Sequence, residues 1–388
     1  MTITAPKGFR AAGIKAGIKA SGNPDLALVV NDGPQKSAAA VFTSNRVAAA
    51  PVHWSRQVVS DGRVDAVVLN SGGANACTGP QGFQNTHATA EKVADVLGVS
   101  ASDVVVCSTG LIGEQLPMDK ILPGVEAAFH ELSEDGGSAA ATAIMTTDSV
   151  SKEAVFSGTD AEGKQFTVGG IAKGAGMLAP GLATMLVVLT TDAEVPADEL
   201  DVVLRDATRV TFDRADSDGC MSTNDTVVLL ASGASEALPS AEQLSDAVTQ
   251  VCAELARKLI GDAEGASHDI AIRTFNAASE RDAEIVSRSV ARSNLFKAAI
   301  FGKDPNWGRV LSAVGTTDAI FVADQLNVAM NGVQICRNGA IGEDRNLVDL
   351  EPREVLVEID LQAGDAEATI WTNDLTHDYV HENSAYSS

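Results

Sequence analysis

The chain has 388 residues, 45% of them hydrophobic, 21% charged and only 4% aromatic, which predicts a soluble globular protein with an aliphatic core. A formal net charge of −24 repels phosphate backbones and anionic lipid, so nucleic-acid and membrane partners are not expected. The same acidity means that a site for an anionic substrate needs its own local cations.

Cys77, Cys107, Cys220, Cys252 and Cys336 are dispersed and form no CxxC pair, which argues against a disulfide framework. The opening MTITAPKGFRAAG has no apolar signal segment, and Pro180 and several glycines interrupt the longest uncharged stretch, 174–191. A cytoplasmic location is the expectation.

Apolar runs bounded by turn residues predict strands over 26–30, 38–42 and 64–69, the last entering the small-residue loop NSGGAN (70–75). A helix is predicted over 85–97, then a buried strand over 103–107 that runs into STGLIG (108–113). Helical patterning returns over 125–132. The stretch 155–166 reads as a hairpin turning at 160–163. After the glycine-rich segment 168–181 come a strand over 185–189 and helices over 200–210 and 241–260, with a strand over 227–231 between them. From about Asn294 the chain reads as strand-rich, with strands over 319–322, 355–361 and 368–371. This mixture predicts a layered α/β architecture, not a TIM barrel, with a boundary near 275–293 where charge rises at Glu280, Arg281 and Asp282.

The segment 170–189 is the most unusual. A glycine-rich loop leads through Pro180 to Ala183 and Thr184, and then directly into a buried strand. On pattern alone, a threonine at a strand start is ordinary. STGLIG lacks the GxxxxGK[ST] spacing of a phosphate loop. His377 and His381 are four apart without a third ligand, so no metal site is expected. Six scattered histidines define no Ser/His/Asp triad.

KGAGMLAPGLATML (173–186) closely resembles the self-cleavage motif of the ornithine acetyltransferase (glutamate N-acetyltransferase) family, whose precursor splits between the Ala and the Thr. The likeness extends to NSGGANACT (70–78), STGLIG (108–113), MTTD (145–148), STNDT (222–226), DAEGA (262–266), FGKDPNWGR (301–309) and the terminal ENSAYSS (382–388). It covers essentially the whole chain.

The resemblance implies an α-β-β-α sandwich of the DmpA/ArgJ type over 1–280 and a smaller C-terminal α/β domain over 281–388 whose tail reaches the site. Cleavage between Ala183 and Thr184 would give chains 1–183 and 184–388, assembled as an α2β2 heterotetramer. Thr184 would be the nucleophile, and its freed α-amine, with a reference pKa of about 7.7 to 8.0, could take the hydroxyl proton. By the family's pattern the Thr109 hydroxyl and the Gly110 N–H form the oxyanion hole. Thr147, Lys173, Glu264, Asn383 and Ser388 match the family's substrate contacts, together with Thr184 itself. Thr146 stays open beside Thr147, and Ala263 stands where DGEGA is commoner. Lys173 would meet the carboxylate shared by N2-acetylornithine and glutamate, and Glu264 the amine end.

The implied activity is ping-pong acetyl transfer from N2-acetyl-L-ornithine to L-glutamate in cyclic arginine biosynthesis. No metal or organic cofactor is expected. Acetyl-CoA is a second donor if the enzyme is bifunctional and also an amino-acid N-acetyltransferase. The alternative is an N-terminal-nucleophile amidase or aminopeptidase, in which water replaces glutamate.

Overall fold

The computed structural model describes residues 2–179 and 185–385. In chain order it begins with β1 (Phe9–Ile14), β2 (Leu26–Asn31), β3 (Ser37–Phe42), α1 (Ala50–Val58), β4 (Ala66–Ser71), α2 (Gly79–Leu97) and β5 (Val104–Thr109). Next come α3 (Met118–His130), α4 (Gly137–Ala143) and the hairpin β6 (Lys152–Thr159) and β7 (Gln165–Lys173). They are followed by β8 (Leu186–Thr191), α5 (Ala197–Val210), β9 (Thr226–Ala231) and α6 (Ala241–Gly261). The last third holds β10 (Asp269–Ala277), α7 (Glu280–Ala291), α8 (Asn294–Phe301), α9 (Trp307–Val314), β11 (Asn327–Met330) and β12 (Val333–Arg337). It ends with β13 (Ala340–Ile341), β14 (Glu354–Asp360), β15 (Ala366–Asn373) and α10 (His377–Ala385).

Two sheets form the larger body, ordered β1-β2-β4-β5 and β3-β9-β8-β7-β6. Their central strands are apolar on both faces, and period-2 alternation sends successive residues into different layers. Val67 and Leu69 of β4 and Val105 and Cys107 of β5 meet Leu186 and Val188 of β8 and Val228 and Leu230 of β9 between the sheets. The intervening Ala66, Val68, Val104 and Val106 turn outward onto Ala90 and Val93 of α2 and Val125 of α3. On the other outer face, Val187, Leu189, Val227 and Leu229 pack on α5 and α6 through Leu204, Leu244, Val248 and Val251. The result is the expected α-β-β-α sandwich.

A third sheet, ordered β13-β12-β11-β14-β10-β15, packs on α7, α8 and α9 through Ile272, Val357, Ile359, Val286, Phe296 and Val310. The boundary expected between 280 and 281 falls just after the first residue of α7. By pairing, however, β10 belongs with β14 and β15, so this sheet begins at Asp269.

Three expected elements change. The strand expected over 319–322 does not form: Ala319 and Phe321 turn toward the core, but the Ile320 N–H donates to Asp282 Oδ2 at 3.1 Å and no ladder is made. Alternation was present there without a partner strand. The helix expected over 125–132 starts at Met118 and carries Pro123 in its interior, because Ile121 and Val125 bury against the first sheet. The stretch read as strand-rich from Asn294 opens with two helices, α8 and α9, capped by the Ser293 and Asn306 side chains.

Candidate active site

One end of the sandwich gathers several chain ends. β5 terminates at Thr109 and β7 at Lys173, while β8 and β9 begin there, with Lys173 paired to Leu186 and Leu186 to Thr226. A cavity of about 230 Å³ opens at this end. Thr109, Gly110, Thr146, Thr147, Lys173, Glu264 and Asn383 all line it, from five segments far apart in sequence. Ala183, Thr184 and Ser388 lie outside the described residues.

The corner that holds Thr109 and Gly110 is built from two small-residue loops fastened to each other. The N–H groups of Gly72 and Gly73 donate to the Thr109 carbonyl at 2.9 and 3.0 Å. Ser108 Oγ donates to Asn70 Oδ1 at 2.6 Å, and Asn224 Nδ2 reaches both the Ala74 and Ser108 carbonyls at 2.6 and 2.8 Å. Gly110 has φ +131°, and a Cβ there would stand 2.5 Å from Gly73 N. Only glycine fits this approach.

Lys173 supplies the cation that an acidic chain needs. Its side chain is buried, and its Nζ donates to Thr146 Oγ1 at 2.7 Å and to Thr109 Oγ1 at 3.4 Å. Burial lowers its pKa, opposed chiefly by Asp148. The Asp148 carboxyl is itself buried, which alone would raise its pKa, but Lys173, Lys152 and hydrogen bonds carry it down to about 2. Of the two adjacent threonines, Thr146 holds the hydrogen bond from Lys173, and both hydroxyl-bearing residues face the cavity.

The opposite wall comes from the turn after α6 and from the C-terminal helix. Glu264 N–H donates to the Ala175 carbonyl at 3.0 Å, and Asn383 Nδ2 of α10 donates to Glu264 Oε2 at 3.0 Å. A Cβ at Gly176 would lie 2.7 Å from Glu264 Oε2, so the absent side chain there makes room for the carboxylate. Met185, immediately before β8, donates its N–H to Asp225 Oδ1 at 3.0 Å. Asp225 is fully buried, and burial pushes its carboxyl well above the ordinary carboxylate range.

Sequence reasoning assigned no role to Asp148, Lys152, Asn224 or Asp225, although three of them stand in the motifs MTTD and STNDT. Lys152 carries no local signal. The motif segment 304–309 leads into α9: Asn306 caps it, Asp304 pairs with Arg345, and none of the segment lines the cavity.

The ArgJ family matches residues 10–388. The chain is 68% identical over 388 residues to the Arginine biosynthesis bifunctional protein ArgJ of Streptomyces coelicolor, with all of both chains covered. It is 66% identical, with the same full coverage, to the protein of that name from Streptomyces avermitilis. A crystal structure of ornithine acetyltransferase from Mycobacterium tuberculosis, complexed with ornithine, is 57% identical. It covers 48% of this chain and 96% of its own, with a TM-score of 0.44.

Proposed function

This chain belongs to the ArgJ family of bifunctional arginine-biosynthesis enzymes, and on that premise we propose that it moves an acetyl group from N2-acetyl-L-ornithine to L-glutamate through Thr184. The convergence of Thr109, Gly110, Thr147, Lys173, Glu264 and Asn383 on one cavity is the observation that carries this reading.

Lys173 receives the α-carboxylate of the donor, with Thr146 and Thr147 beside it. The acetyl carbonyl oxygen turns to the Thr109 hydroxyl and the Gly110 N–H. Lys173 donates to the Thr109 oxygen, so that hydroxyl is free to donate its own hydrogen to a developing oxyanion. The Thr184 hydroxyl gives its proton to the Thr184 α-amine and attacks the carbonyl carbon. Collapse of the tetrahedral adduct releases ornithine, which takes the proton, and leaves acetyl-Thr184. Glutamate binds with its carboxylate on the same lysine, and its amine attacks the ester to give N-acetylglutamate. Glu264 and Asn383 face the far end of the substrate, where ornithine carries its second amine.

The α-amine exists only after the chain is cut between Ala183 and Thr184. Attack of the Thr184 hydroxyl on the Ala183 carbonyl and hydrolysis of the resulting ester supply that cut. The two pieces remain together as α2β2 in the cytoplasm, and acetyl-CoA serves as a second donor to the same nucleophile. No metal or organic cofactor takes part in this scheme.

Incubation with N2-acetylornithine labelled in its acetyl group tests the reading. With glutamate present, label is expected in N-acetylglutamate in amounts equal to the ornithine released. Label released mainly as acetate would favour the amidase alternative and overturn the transferase.

A further inference from the structure

The site's lysine has a carboxylate neighbour that does not close on it. Lys173 Nζ stands 3.9 Å from Asp148 Oδ2, beyond hydrogen-bond distance, although both side chains are buried. The reason lies in Lys152, which is 0% exposed and places its Nζ 2.6 Å from Asp148 Oδ1 and 2.6 Å from Asp262 Oδ2. The Gly174 N–H also donates to Asp148 Oδ1 at 2.6 Å, and the Thr146 N–H to Oδ2 at 2.9 Å.

Strand register explains how two lysines serve one carboxylate from opposite sides. Lys152 pairs with Ala172 across the β6–β7 hairpin, and Lys173 is the next residue on β7. Ala172 belongs to the layer packed on α6, so Lys152 points toward Asp262 at that helix's end. Lys173, one residue on, points the other way, toward Thr109 of the first sheet. Asp148 spans the two.

We propose that Lys152 is a positioning residue that draws the Asp148 carboxylate away from Lys173, leaving the Lys173 amine without a carboxylate partner and open to the carboxylate of the substrate. The four groups, two lysines and two aspartates, balance in charge. Without Lys152, Lys173 would be the cation left within 4 Å of Asp148 and the two would pair directly, in competition with substrate. Lys152 itself, fully enclosed, touches no substrate. The proposal rests on the assignment of Lys173 to the substrate carboxylate.

The test compares kcat/KM for N2-acetylornithine with kcat/KM for its decarboxylated analogue, N-acetyl-1,4-diaminobutane. In Lys152→Met the preference for the carboxylated donor is expected to fall about tenfold, the scale of one charge-assisted hydrogen bond, while turnover of the analogue holds. Lys152→Met/Asp262→Asn removes one charge of each sign, keeps the cluster neutral, and is expected to show the same loss if the single variant does not fold. An unchanged preference in either folded variant, or an equal fall for both donors, overturns the proposal. Lys173→Met separates this from the underlying reading: if that variant keeps the wild-type preference, the assignment of Lys173 fails; if only the Lys152 variants keep it, the role of Lys152 alone fails.

Discussion

Lys173, on the second sheet of the sandwich, donates to the hydroxyl oxygen of Thr109 on the first at 3.4 Å, so the proposed substrate cation and the proposed oxyanion donor are joined across the inner layer. In the proposed mechanism the pair ties binding to chemistry and sets what each substitution at this corner should do.

Thr109→Ala removes the hydroxyl while leaving the loop backbone to Gly72 and Gly73. Loss of one oxyanion donor typically lowers kcat by about 10² to 10³. Steady-state kinetics with N2-acetylornithine and glutamate should therefore show the loss in kcat, with KM little changed and Thr109→Ser retaining most activity. A loss confined to KM contradicts the oxyanion role.

Gly110→Ala brings a methyl group 2.5 Å from Gly73 N at φ +131°, and the two loops must part. Gly98→Ala is the control, since Gly98 also has positive φ, +70°, but a Cβ there meets nothing within 4 Å. We expect the control to cost about 1 kcal/mol in stability with activity intact. Gly110→Ala should lose both activity and several degrees of thermal midpoint. Equal behaviour of the two variants in thermal melts and assays would contradict the packing argument.

Acid should reach ordinary surface carboxylates before it protonates Asp148 and loosens the site. The Asp148 carboxyl is held at about 2 in the folded chain, against about 3.9 for a free aspartate. A depressed folded pKa contributes stability above the unfolded value and loses it as pH falls through the folded one. The expected window is therefore pH 4 down to 2. At the alkaline end, burial lowers the pKa of Lys173, while Asp148, Asp225 and Glu264 raise it and Lys152 lowers it further. KM for the acetyl donor should climb as pH rises toward the usual lysine range of about 10.4. A KM flat across that range would contradict the carboxylate contact.

Much of the sandwich was legible because its central strands are buried on both faces and so read as nearly continuous apolar runs: 26–30, 64–69, 185–189 and 227–231 each overlap an observed strand. Missed elements had weaker local signals. α4 is a seven-residue run of small side chains, and α7 presents Ala283, Val286 and Val290 at helical spacing inside a segment dominated by charge. Of the site, the motifs pointed to Thr109, Gly110, Lys173, Glu264 and Asn383, which the fold brings to one cavity. The buried Asp148–Lys152–Asp262 chain could not be read, because it depends on strand register and on where α6 ends. Neither leaves a local pattern in sequence.

Mass spectrometry of the purified protein, before and after brief exposure to N2-acetylornithine, tests the nucleophile most directly. The account predicts fragments 1–183 and 184–388, with one acetyl group gained on the Thr184 side chain of the second and removed by glutamate; Thr184→Ala should stay whole and take up none. Active protein whose polypeptide is continuous from 183 to 184, or acetyl carried on another residue, would contradict it.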